Sequence, residues 1–124
     1  MKNTLIAVTL SLFSSLALAH GDTPAKHQGV VAEAASGDLA ELSVTGNMLM
    51  LYLRDHAGQA INSAGAEAEV TLLSSSAKQV LKLLPAGDNA LMAQEAYSAP
   101  AGTKALVKLT LPGKAAEQFR FVLK

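Results

Sequence analysis

The chain contains no cysteine in its 124 residues. Disulfide bonds, thiolate zinc sites and thiol redox chemistry are therefore excluded. Stability must come from an apolar core instead, and hydrophobic residues make up 50% of the sequence. A chain of this length is long enough for one domain with a single core.

The sequence also lacks an excess of charge of either sign, because ten Lys and Arg residues balance ten Asp and Glu residues. A nucleic-acid-binding protein normally carries a basic face, and a protein that lies on anionic lipid carries a polybasic stripe. We therefore expect neither nucleic acid nor a lipid surface as a partner.

Recognisable catalytic motifs are missing as well. The sequence has no paired carboxylates in an apolar setting, no nucleophile elbow and no glycine-rich phosphate loop. His56 in "RDHAGQ" follows an aspartate at the end of a predicted strand, where Asp commonly bonds its own backbone in a solvated turn. The chain is therefore predicted not to be an enzyme.

A long apolar run is present only at the start of the sequence. Lys2 supplies a positive charge, hydrophobic residues follow, and "ALA" at residues 17–19 has the small-x-small pattern that signal peptidase requires. This pattern predicts a signal peptide over residues 1–19, export through the general pathway and a mature chain that begins at His20. No later segment approaches the roughly 20 apolar residues that cross a bilayer, so no membrane span is expected in the mature chain.

Short alternating segments separated by turn residues fill residues 29–124. Strands at spacings of about 8 to 12 residues are typical of an all-β sandwich. The connections are too short for crossover helices, which predicts antiparallel pairing. We expect seven or eight short strands after a flexible leader over residues 20–28. One segment, "SSSAKQVLKLLPAG", fits a short amphipathic helix almost as well as a strand.

Alternation along the strands predicts which side chains face the core. The expected inward set near the C-terminus is Ala105, Val107, Leu109, Leu111, Phe119, Phe121 and Leu123. In "NMLMLYLRD" the leucines 49, 51 and 53 share one face, and Met48, Met50 and Tyr52 share the other. Both faces are apolar there, which suits a central strand or a strand whose second face is covered. Gly46 and Asn47 precede this strand in a predicted tight turn, since both tolerate positive φ.

Histidines near the predicted mature N-terminus are candidate metal ligands. His20 would offer a free α-amine and an imidazole nitrogen to one metal ion, and His27 is the available second imidazole. Imidazole suits copper, zinc and nickel alike, so the ligand type does not identify the metal. The alternative is a leader that binds nothing, because chain termini are usually loosely ordered.

Met48 and Met50 are further candidate ligands, and alternation places them on the same side of one strand. Thioether sulfur is a soft ligand that favours copper(I). The alternative is that these methionines are packing material, because methionine fills irregular gaps in apolar surfaces.

A family resemblance is carried by five segments of the chain: "KHQGVVAEA", "LAELSVTGNMLMLYLRDHAGQAI", "AGAEAEVTLL", "LLPAGDNALMA" and "QFRF". Together they resemble small exported proteins, and extra domains of efflux adaptor proteins, associated with bacterial heavy-metal resistance. The resembling sequences typically carry Lys-His-Gly-Gly near their start and a proline before the isoleucine that corresponds to Ile61. This chain departs from that pattern at two positions, with Gln28 in place of the first glycine and Ala60 in place of the proline. The resemblance implies an immunoglobulin-like sandwich in the periplasm that handles copper or another divalent metal.

Two functions follow as expectations. The first is a periplasmic, non-enzymatic protein of heavy-metal homeostasis that binds or delivers copper or a similar cation through His20, His27, Met48 and Met50. The second is a metal-free interaction module that docks on an efflux adaptor or another envelope protein through an exposed face or edge of a sheet.

Overall fold

The structure is a computed structural model and describes residues 25–124. These residues form eight strands and no helix. The strands are β1 (Val30–Glu33), β2 (Leu39–Thr45), β3 (Met48–Arg54), β4 (Glu67–Leu73), β5 (Lys78–Pro85), β6 (Ala90–Ala93), β7 (Lys104–Thr110) and β8 (Glu117–Val122). Every pairing between them is antiparallel, which confirms the prediction of an all-β antiparallel domain. The segment that also fitted a helix is β5.

The eight strands form one sheet in the order β1-β2-β3-β6-β5-β4-β7-β8. Strand β3 therefore pairs with β6, and the hairpin of β4 and β5 lies beyond β6 in the sheet. The sheet curls until its edge strands β1 and β8 lie near one another without a ladder between them. Residues 25–124 thus form a single, nearly closed sheet. The two-sheet immunoglobulin-like sandwich is not confirmed, and the predicted signal peptide lies outside the described residues.

The core lies on the inner side of the curled sheet. The predicted inward residues of β7, β8 and the segments after them are buried, and Leu49, Leu51 and Leu53 of β3 are fully buried. Strands β2 to β8 all supply buried apolar side chains, and partly buried side chains of β1 pack against them. Each fully buried Leu or Phe stabilises the fold by about 1.5–3 kcal/mol.

A two-residue turn joins β2 to β3, as predicted. Thr45 and Met48 are partners in the ladder, and Gly46 between them has a φ of 59°. A side chain at that position would be strained, because L-residues rarely adopt positive φ. Asn47 does not adopt positive φ, so only the glycine has the backbone conformation that was expected of both residues.

The outer face of β2 is covered, although outer faces of such sheets usually contact solvent. Glu41 and Ser43 alternate with the inward Leu42 and yet are buried. The segment 26–29, which precedes β1, lies against this face and is hydrogen-bonded to both side chains. This cover explains why the second face of the β2–β3 hairpin is partly sheltered from water.

Candidate functional site

The carboxylate of Glu41 holds the segment 26–29 on the sheet. It accepts hydrogen bonds from the backbone N–H groups of Lys26 at 2.9 Å, His27 at 2.7 Å and Gly29 at 2.8 Å. Burial by itself raises the pKa of this carboxyl, but the three N–H donors and the nearby His27 together hold the pKa of Glu41 below its ordinary value. The carboxylate is therefore kept ionised where it fastens the chain.

The backbone of the segment 26–29 has one residue with positive φ and one that lies too close to β2 for a side chain. Gln28 has a φ of 62°, the left-handed conformation that costs a non-glycine residue about 1–2 kcal/mol. A Cβ on Gly29 would lie 2.4 Å from the carbonyl oxygen of Leu42, so the glycine allows the segment to approach β2 closely. The hydroxyl of Ser43 donates to the carbonyl oxygen of His27 at 3.1 Å.

Arg54 lies beside this cluster and is also buried, with 4% of its surface exposed. Its Nη2 atom is 3.7 Å from Oε1 of Glu41. Within residues 25–124 this Nη2 has no hydrogen-bond partner. The guanidinium therefore balances the buried carboxylate by charge rather than by a direct hydrogen bond.

The side chain of His27 is exposed but held in one orientation. Its imidazole stacks on the ring of Tyr52, with centroids 3.6 Å apart and an angle of 8° between the planes. Tyr52 is the ladder partner of Glu41, so the ring and the backbone of His27 contact neighbouring positions of β2 and β3. Sequence reasoning selected His27 as a ligand, and the structure places it on the outer face of β3.

Met48 and Met50 lie on the same outer face of β3 as Tyr52, because the alternating leucines point inward. In the ladder between β3 and β6, Met50 is directly opposite Met92. The neighbouring Leu91 is fully buried, so alternation turns Met92 outward too. We call Met48, Met50 and Met92 the methionine face. It includes every methionine after Met1.

The structure thus brings three of the four predicted ligands, His27, Met48 and Met50, to one outer face. His20 lies outside the described residues. Two members of the region were not singled out from the sequence. Met92 is placed there by the strand order, which a single sequence does not reveal. Glu41 carried one signal, an acidic residue within the apolar run of β2, but alternation alone assigns it to solvent.

The predicted solvated turn after β3 is confirmed. The carboxylate of Asp55 accepts hydrogen bonds from the N–H groups of Ala57 and Gln59, both at 2.9 Å. The Gln59 N–H group is the main cause of a lowered pKa at Asp55. His56 is exposed within this turn, at the opposite end of β3 from Met48.

A second feature is the seam between the edge strands β1 and β8, where an open cleft of about 1080 Å³ lies. Burial raises the pKa of Glu117 in this cleft, and the neighbouring carboxyl of Asp38 raises it further. The hydroxyl of Ser36 donates a hydrogen bond to Glu117 and opposes that shift. The cleft also contains Lys114 and Arg120, so charges of both signs line it.

Three searches of the chain found nothing. Within residues 25–124 no three His, Cys, Asp or Glu side chains are grouped so that they could hold a metal ion. The same residues contain no helix that is long and apolar enough to cross a bilayer. No protein-family model, curated protein or solved structure matches this chain. The candidate site therefore depends on its own geometry.

Proposed function

We propose that this protein is a non-enzymatic, periplasmic protein of heavy-metal homeostasis that binds or delivers copper or a similar cation. Its nitrogen ligands are His20 and His27, and Met48 and Met50 are candidate sulfur ligands on the outer face of β3. The observation that carries the proposal is the position of His27. Its imidazole is fixed by stacking on Tyr52, on the same face of β3 as both methionines.

Pre-organisation supports this assignment. A metal ligand binds more tightly when its orientation is fixed before the ion arrives, because less conformational entropy is lost on binding. The Glu41 carboxylate fixes the backbone of His27, and the Tyr52 ring fixes its side chain. His20 precedes His27 by seven positions, and a chain of that length spans up to about 25 Å. The N-terminal ligands can therefore meet at a single ion.

The proposal also includes export by a cleaved signal peptide over residues 1–19. It further includes that the domain is related to immunoglobulin-like sandwiches. The apolar run, its positive start and its small-x-small end support the first. The enclosed core supports the second, because strands from both halves of the sheet contribute to one buried cluster, as the two layers of a sandwich would.

Copper(II) titration of the mature protein tests this function. A protein that begins at His20 is compared with one that keeps a single extra residue before it. We expect stoichiometric binding at micromolar concentration for the first form and a sharp loss of affinity for the second, since the extension converts the α-amine of His20 into a peptide nitrogen. His27→Ala should also weaken binding. Absence of stoichiometric binding to the native form would refute the proposal.

The seam between β1 and β8 favours a second candidate, a metal-free module that docks on an efflux adaptor or another envelope protein. Edge strands present unpaired backbone groups to which an added strand can bind. Under this alternative, metal titration gives no stoichiometric binding, whereas a pull-down from envelope extract recovers one specific partner. Charge reversal at Arg120, which lines the cleft, should then abolish that capture.

A further inference from the structure

We propose that Met48, Met50 and Met92 form a copper(I) site that is separate from the nitrogen ligands near the N-terminus. This inference rests on the proposed function and deepens it. It names the oxidation state that the methionines select, and it adds Met92, which the function as stated does not include.

The ladder between β3 and β6 places the three side chains within reach of one ion. Met50 and Met92 are direct partners across this ladder, and such partners have Cβ atoms about 4.5–5.5 Å apart. Met48 is two positions from Met50 on the same face, about 7 Å along the strand. Methionine is unbranched and has three rotatable bonds, so three sulfur atoms that start from these positions can converge.

The exposure of these residues distinguishes them from packing material. Met48 is 49% exposed, and Met50 and Met92 are half-buried on the outer side of the sheet. The core on the inner side is filled by leucine, valine and phenylalanine side chains instead. An ion arriving from solvent would therefore reach the sulfur atoms without any opening of the fold.

The surroundings of the methionine face select a soft, singly charged ion. Its ladder neighbours are neutral: Ser43 and Thr45 on β2 and Leu84 on β5. Hard cations such as calcium and magnesium are usually held by several carboxylates, and none of these ladder neighbours carries a carboxylate. Neutral thioethers bind copper(I) in preference to harder ions, so zinc and nickel should not bind here.

Silver(I) is the probe for this site, because it is a soft monovalent ion like copper(I) and does not change oxidation state in air. The mature protein is titrated with silver nitrate in chloride-free buffer, and the methyl resonances of the three methionines are followed by NMR. We expect one equivalent of silver to shift all three resonances together. Zinc should shift none of them.

Three variants test the ligand set. Met50→Leu and Met92→Leu keep the apolar volume, and we expect each to lower silver affinity at least about tenfold while Tm changes little. Leu84→Ala is the matched control, because Leu84 is the ladder partner of Met92 on its other side and carries no sulfur. It should leave silver affinity unchanged. Equal silver affinity in Met92→Leu and the native protein would overturn the inference.

The N-terminal variants separate this inference from the proposed function. Silver affinity should be unchanged by His27→Ala and by an extension before His20, whereas each of these changes should weaken copper(II) binding. If silver fails to bind while copper(II) binding depends on the N-terminus, the function stands and the methionine site is refuted. Loss of silver binding in His27→Ala would show a single mixed site and would likewise overturn the separate copper(I) site.

Discussion

The imidazole of His27 lies flat on the ring of Tyr52, with the ring centroids 3.6 Å apart. The peptide N–H of the same histidine donates to Glu41, which is the ladder partner of Tyr52. One cross-strand pair therefore fixes both the main chain and the side chain of the candidate ligand. Variants of Tyr52 and of Glu41 separate these two contributions.

Replacing Tyr52 should weaken copper(II) binding without unfolding the protein. An aromatic pair contributes about 0.5–1.5 kcal/mol beyond burial, so Tyr52→Leu should lower affinity about twofold to tenfold. Tyr52→Phe keeps the stacked ring and should retain native affinity. Tyr97→Leu is the control, because Tyr97 is a similarly half-buried tyrosine whose hydroxyl bonds to Gly46. Equal affinities in Tyr52→Leu and the native protein would show that the stack has no part in binding.

Removing the charge of Glu41 should destabilise the fold. Glu41→Gln replaces one acceptor oxygen by an NH₂ group facing backbone N–H donors, and it leaves the buried Arg54 without its counter-charge. The loss of a partner from such a buried cluster costs about 2–4 kcal/mol. Urea unfolding measures this change. Glu95→Gln, at an exposed position, should change stability by less than about 0.5 kcal/mol.

The stabilisation due to Glu41 should depend on pH. Its pKa is lower in the folded protein than in the unfolded chain, so the unfolded chain binds the proton more readily. The contribution is complete above the ordinary carboxyl range and is lost as pH falls through the lowered pKa. The difference in unfolding free energy between the native protein and Glu41→Gln should therefore shrink as pH falls from about 6 to about 3. A constant difference would contradict this assignment.

A side chain at Gly29 should lift the segment 26–29 from the sheet. The added Cβ of Gly29→Ala meets the carbonyl oxygen of Leu42 at 2.4 Å, so the backbone must move. Overpacking of this kind costs about 1–3 kcal/mol. Amide hydrogen exchange at His27 should become much faster in this variant. In Gly58→Ala the new Cβ meets no atom within 4 Å, so protection at His27 should remain even though a φ of 87° is unfavourable for alanine.

The sequence predicted features that depend on local patterns. Alternation identified the inward leucines of β3 and the buried Phe119 and Phe121, because successive side chains of a strand point to opposite faces. The segment of β5 fitted a strand only slightly better than a helix, and it forms a strand in the structure. A glycine at position 46 marked the turn between β2 and β3.

The features that escaped prediction depend on contacts between distant parts of the chain. Alternation does not say which strand lies beside β3, so the pairing of Met50 with Met92 could not be foreseen. The alternation of side chains along the strands is also equally compatible with two packed sheets and with one curled sheet. Glu41 was unpredictable for a related reason, since its burial depends on the segment that returns over β2. The role of His20 as a metal ligand and the signal peptide over residues 1–19 stay predictions.

The position of β6 beside β3 has a consequence for metal binding during folding. Met50 and Met92 are far apart in the sequence, on either side of β4 and β5, and become neighbours only when β6 pairs with β3. An unfolded chain would thus lack the thioether cluster until this long-range pairing is in place. A soft ion would then bind only to the folded protein, and it would not stabilise a misfolded chain.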